Sequence, residues 1–116
     1  YKEAKELKKD ISNEDRILIK QFEKRLLVLK KILIKNNITP IFITQIAFNG
    51  IKDQKLFLIN EKLKDFSKNN GFQLIKLDEI INVSLYDFYD EVHTTPNGSK
   101  KIADAIYPYL KKMLLN

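Results

Sequence analysis

The stretch Ile38-Thr39-Pro40-Ile41-Phe42-Ile43-Thr44-Gln45-Ile46 constrains this chain more than any other. Pro40 has no N–H to give and a fixed φ, so the segment cannot be the interior of a helix. The residues after it are β-branched or aromatic and nearly continuous in apolar character. Such a short run predicts a parallel strand covered on both faces.

The segments around it carry helical spacing. Ser12 or Asn13 can cap a helix whose first turn holds Glu14 and Asp15, placed to favour a helix N-terminus. Leu18, Phe22, Leu26, Leu29 and Leu33 then predict a long amphipathic helix from about Glu14 to Lys35, ended by Asn36-Asn37. Phe48-Asn49-Gly50 reads as a loop. Leu56, Ile59, Leu63 and Phe66 mark one face of a second helix, stopped at Asn69-Asn70-Gly71, where Gly71 suits a left-handed cap. Phe72 to Leu77 reads as a second short strand, and Asp78 to Thr94 mostly as loop. Thr95-Pro96 opens a last helix with Ile102, Ile106, Tyr109 and Met113 on one face. Pro108 inside it removes one backbone hydrogen bond, which predicts a kink. Tyr1 to Asp10 reads as a solvated helix or a frayed arm.

The order is helix, strand, helix, strand, helix: an α/β alternation with right-handed parallel crossovers. At 116 residues the chain is one domain at most. Two strands make a poor sheet, because an apolar strand such as Ile41 to Ile43 calls for strand neighbours on both sides. The expectation is the C-terminal part of a larger α/β domain, or a sheet completed by self-association.

Composition removes several functions. With no cysteine there is no disulfide, no thiolate metal site and no cysteine nucleophile, and a single histidine excludes a metal site that needs two imidazoles. No metal and no cofactor is expected. No apolar run approaches the ~18 residues of a membrane span, and no secretory signal pattern is present. The net charge of +6 invites a nucleic-acid reading. Against it, Arg16 and Arg25 are the only arginines, and the lysines alternate with Glu and Asp along helix faces. Base-edge and phosphate recognition leans instead on arginine forks and interleaved aromatics.

The chemistry-bearing segment is Asp90-Glu91-Val92-His93, followed by Thr94-Thr95-Pro96-Asn97-Gly98. An aspartate three residues before a histidine, in a loop just ahead of a helix, builds two thirds of a catalytic triad. The carboxylate fixes the imidazole tautomer and stabilises the imidazolium formed when the other nitrogen takes a proton. The segment follows the last predicted strand, where open α/β sheets place their ligand sites. Asp87 and Glu91 are alternative orienters on residue type alone.

This block resembles the last conserved block of the SGNH hydrolases, the GDSL-type esterase and lipase superfamily. The sequel from Thr94 to Ile102-Ala103 looks like that family's helix after the histidine, and Asn37 to Gln45 looks like its fourth strand. The resemblance runs from about Asp15 onward. Its one specific motif is Asp-x-x-His, and that spacing favours Asp90 over Asp87 and Glu91. It implies the C-terminal portion of a flavodoxin-like three-layer α/β/α fold, so that residues 1–116 form a partial domain. It also implies a serine hydrolase of esters, acting on a carbohydrate O-acyl group or a lipid.

In that family the nucleophile sits in a Gly-Asp-Ser block near the N-terminus, and a glycine and an asparagine from two further blocks help form the oxyanion hole. Ser12, Ser67, Ser84 and Ser99 lack that setting, and Asn49-Gly50 lies in the wrong block. The missing N-terminal half of the domain is therefore the expected partner, and the chain alone is expected to be inactive. His93 would be general base and then general acid, and Asp90 its orienter. Gln45 and Asn49 at the end of the first strand, and Tyr89 in the loop, are candidate substrate contacts. Simple loop hydrogen bonding for Gln45 and Asn49, and packing against the last helix for Tyr86, Phe88 and Tyr89, are the alternatives.

Overall fold

The computed structural model describes residues 11–48 and 54–115. The arm read at Tyr1 to Asp10, and the loop residues Asn49 and Gly50, lie outside them. Helix α1 spans Asn13–Lys35, strand β1 Ile41–Ile43, helix α2 Gln54–Asn70 and strand β2 Gln73–Ile75. A single-turn helix α3, Leu77–Ile80, a 3-10 turn at Leu85–Asp87 and helix α4, Pro96–Leu115, complete the chain. The architecture is mixed helix and strand, broadly α/β, around two parallel strands paired Ile41 to Gln73, Phe42 to Leu74 and Ile43 to Ile75.

The local signals explain the boundaries. The Ser12 hydroxyl accepts the Asp15 N–H at 3.1 Å and so caps α1. Asn37 and Gly71 take the left-handed backbone, at φ 54° and 67°, that ends α1 and α2. Thr95 caps α4, its hydroxyl accepting the Gly98 N–H at 3.1 Å. Helix α4 runs unbroken past Pro108 to Leu115.

The core sits between α1, α2 and one face of the sheet. Leu26, Leu63 and Phe66 are buried together, with Phe22, Phe42, Phe72 and Leu74 against them. Phe42 meets Phe66 edge-on, with ring centroids 6.2 Å apart. A second cluster joins Phe57 and Leu58 to Ile11 and Ile19. The expected α1 face supplies Phe22 and Leu26 to the core, while Ile19 beside it joins the second cluster and Leu29 is exposed.

Three expectations are corrected. Of the run Ile38 to Ile46 only its apolar centre, Ile41 to Ile43, is strand, because past Thr44 the main chain turns from the sheet to a side chain of α2. The second strand also keeps only three residues, since Leu77 already starts α3. And β1 is half-buried along its length rather than covered on both faces. Among the described residues no helix is long and apolar enough to cross a membrane.

A partly buried ionic cluster, centred on the buried Lys64, closes the end of the sheet. The Lys64 ammonium on α2 lies 2.7 Å from Asp78 Oδ2 and 3.0 Å from Glu79 Oε2, with Glu61 at 3.6 Å. The Thr44 hydroxyl donates to Asp78 Oδ1 at 2.6 Å and accepts the Asp78 N–H at 3.1 Å. Burial pulls the ammonium's pKa down, but the hydrogen bonds to Asp78 and Glu79 outweigh it and raise the pKa above the ordinary lysine value.

Candidate functional site

The Asp90-Glu91-Val92-His93 turn folds on itself. Asp90 Oδ1 accepts the N–H of Val92 at 2.8 Å and that of His93 at 2.7 Å. Asp90 Oδ2 lies 2.6 Å from His93 Nδ1. One carboxylate thus holds both the backbone of the turn and the imidazole. The His93 N–H, the Val92 N–H and then the ring bring the Asp90 carboxyl down to about 2. At neutral pH it is an ionised, acceptor-only group, so Nδ1 must carry the proton, and in the neutral form of the ring Nε2 is left as the acceptor. The side chains stay open, His93 at 75% exposure and Asp90 at 55%.

The surrounding chain aims the turn. The Tyr89 N–H donates to the His93 carbonyl at 2.7 Å, and Phe88 bridges Thr94 in antiparallel fashion. Thr95 ties the turn to α4: its N–H reaches the Asp87 carbonyl at 2.9 Å and its hydroxyl donates to the Tyr86 carbonyl at 2.8 Å. The Asp87 carboxylate is buried, and Oδ2 accepts from the Lys101 ammonium at 2.7 Å and from the Ser84 N–H at 2.8 Å. Those contacts, Lys101 first, lower its pKa. Gly98 packs directly on this turn, and a Cβ there would overlap the Asp87 carbonyl oxygen.

The candidate residues therefore separate. Asp90 and His93 are brought together. Asp87 is engaged by Lys101 and Ser84 instead, and Glu91 holds the turn through its carbonyl, which accepts the Phe48 N–H at 2.9 Å. Tyr89 meets His93 through the main chain, with its side chain exposed. Gln45 is held by its own main chain against Asn60, away from any bond to the pair. Asn49 lies outside the described residues.

Each of the four serines is accounted for: Ser12 caps α1, Ser84 binds Asp87, Ser99 pairs with Thr94 at 2.7 Å, and Ser67 is buried in α2. None of these contacts involves the His93 ring. Among the described residues no group of three or more His, Asp or Glu side chains is placed to hold a metal ion.

Asn60, Lys64 and Asp78 escaped the sequence reading. A signal for two of them was present: Phe57, Asn60, Lys64 and Ser67 recur at helical spacing, and polar residues on a buried face are the informative exception. No protein-family profile, curated protein or solved structure matches this chain.

Proposed function

We propose that this chain supplies the general-base histidine and its orienting aspartate to a serine ester hydrolase, with the serine and the oxyanion donors carried by another segment, the N-terminal half of the same domain. The observation that carries the reading is the 2.6 Å contact between Asp90 Oδ2 and His93 Nδ1, made by a carboxylate whose other oxygen is pinned by two N–H groups. The ionised Asp90 keeps the proton on Nδ1, so Nε2 can take the proton of an attacking hydroxyl. Asp90 then stabilises the imidazolium, and Nε2–H protonates the departing alkoxide. Carbohydrate O-acyl groups and lipid esters are the substrate classes the family resemblance suggests.

The test is aryl acetate hydrolysis by the native polypeptide that carries these residues. His93→Ala should cost roughly 10⁴- to 10⁶-fold in kcat, as loss of a triad base does. The isolated 116-residue chain should give no turnover above buffer. Equal rates for the native polypeptide and its His93→Ala variant refute the reading. Turnover by the isolated chain that depends on His93 refutes the external serine.

A second reading has its own observation. Helix α1 exposes Ile17, Leu27, Val28, Leu29, Ile32 and Ile34, and strand β1 is left half-covered. A helix apolar on most sides is ordinarily buried. On this reading the chain is a basic, non-catalytic α/β interaction module. It predicts a monodisperse, folded chain or dimer in sedimentation analysis and no esterase activity in any context.

A further inference from the structure

Asn60 stands on α2 with 3% of its surface exposed, and both ends of its amide serve one residue. Nδ2 donates to the Gln45 carbonyl at 2.8 Å, and Oδ1 accepts the Gln45 N–H at 3.0 Å. This happens just past the last bond of the sheet, from the Thr44 N–H to the Ile75 carbonyl. Among the described residues Gln45 has no strand to pair with there, and Asn60 replaces one. A buried amide satisfied at both ends specifies a single position for the backbone it grips.

Three residues on, the Phe48 N–H donates to the Glu91 carbonyl at 2.9 Å, and the Phe48 ring lies 6.4 Å from that of Phe88. Glu91 sits between Asp90 and His93. The segment 45–48 is therefore a strap with Asn60 at one end and the Asp-x-x-His turn at the other. The other hydrogen bonds of the turn stay within 84–101; among the described residues, Phe48 is what ties it to the sheet. A turn this exposed has little packing to fix it, so the tie matters.

We propose that Asn60 is a positioning residue for the Asp90–His93 pair, acting through the Gln45–Phe48 strap. Its functional meaning rests on the acid–base reading above, but its test does not. His93 is the chain's single histidine, so its imidazole can be read alone in a ¹⁵N-labelled sample, where the ring-nitrogen shifts report how much neutral ring carries its proton on Nδ1.

Asn60→Asp, which keeps the acceptor and loses the donor, and Asn60→Leu should each lower the ratio of Nδ1–H to Nε2–H rings about fivefold, the equivalent of one hydrogen bond. Phe48→Pro, which cuts the other end, should do the same, and adding it to Asn60→Asp should change little more. Leu26→Ala, a core truncation in α1, should lower stability and leave the ratio alone.

An unchanged ratio in a folded Asn60 variant overturns the proposal, as does full additivity with Phe48→Pro. Should the Asn60 variants not fold, amide exchange of the unmodified chain decides. The Gln45, Phe48 and His93 amides should open in one event with one denaturant dependence, and a His93 amide that opens independently of Gln45 overturns it. Esterase activity enters none of these readouts, so the two proposals fail separately.

Discussion

Gly98→Ala sets two effects against each other. Gly98 lies in the first turn of α4, and alanine in a helix ordinarily gains ~0.5–1 kcal/mol over glycine. Here the new Cβ would overlap the Asp87 carbonyl oxygen, with the Asp87 carbonyl carbon and Cα close behind. Those are backbone atoms, so no side chain can swing aside. The carbonyl also accepts the Thr95 N–H at 2.9 Å, and Asp87 is fastened by Lys101 and Ser84. Relief means moving the 3-10 turn off the helix. Overpacking costs ~1–3 kcal/mol and the lost hydrogen bond ~1, against a helix gain of at most ~1. The net is a destabilisation of ~2 kcal/mol. In urea, with an m-value of ~1.5 kcal/mol/M, the midpoint should fall by roughly 1 M at unchanged m. A midpoint equal to or above that of the parent chain would mean helix propensity wins, and would refute the claim that α4 is seated through contact at Gly98.

Other expected outcomes follow from single contacts. The depressed Asp90 pKa means that the pair's stabilisation is complete above the unfolded carboxyl value near 4 and is lost as pH falls through about 2; a ¹³C titration of the Asp90 carboxyl should show a midpoint near 2, and one near 4 would dissolve the turn as described. Lys64→Met takes the ammonium from between Asp78 and Glu79 and should cost ~3 kcal/mol in urea unfolding at pH 7, and a midpoint unchanged from the parent chain would refute a stabilising role for the cluster. Ser67→Ala removes a buried hydroxyl that has no hydrogen-bond partner among the described residues and should stabilise the chain by ~1 kcal/mol in the same assay.

What was legible in the sequence was local. The helix ends could be read from Ser12, Asn37, Gly71 and Thr95, because caps act within a few residues of themselves. The Asp90–His93 pair was legible for the same reason: the two residues are three apart, and one carboxylate folds the turn between them. The strand lengths were not. Ile46 is as apolar as Ile43, and nothing near it announces that Gln45 will leave the sheet for Asn60, fifteen residues on. The single turn Leu77–Ile80 is too short to show a period, so the second strand was drawn through its first residue. Asp78 was hidden by ordinariness, since its meaning lies in a contact with Lys64 between α2 and the end of the sheet.

The same division bears on how the site would work. The parts that fix the imidazole lie within this chain, in the turn itself and in the strap behind it, so the tautomer is set before any substrate or second segment arrives. What the turn lacks is cover. At 75% exposure His93 is surrounded by water, where a carboxylate neighbour does far less than it does in a dry site. A segment carrying a serine to Nε2 would have to lie over the turn, and the strap that Phe48 forms along it is held from behind by Asn60. On the proposed reading, docking of that segment would raise the strength of an interaction that already exists rather than create its geometry. Catalysis would then be limited by how well the two surfaces exclude water from the Asp90–His93 contact, and the aim of His93 would be the property this chain carries by itself.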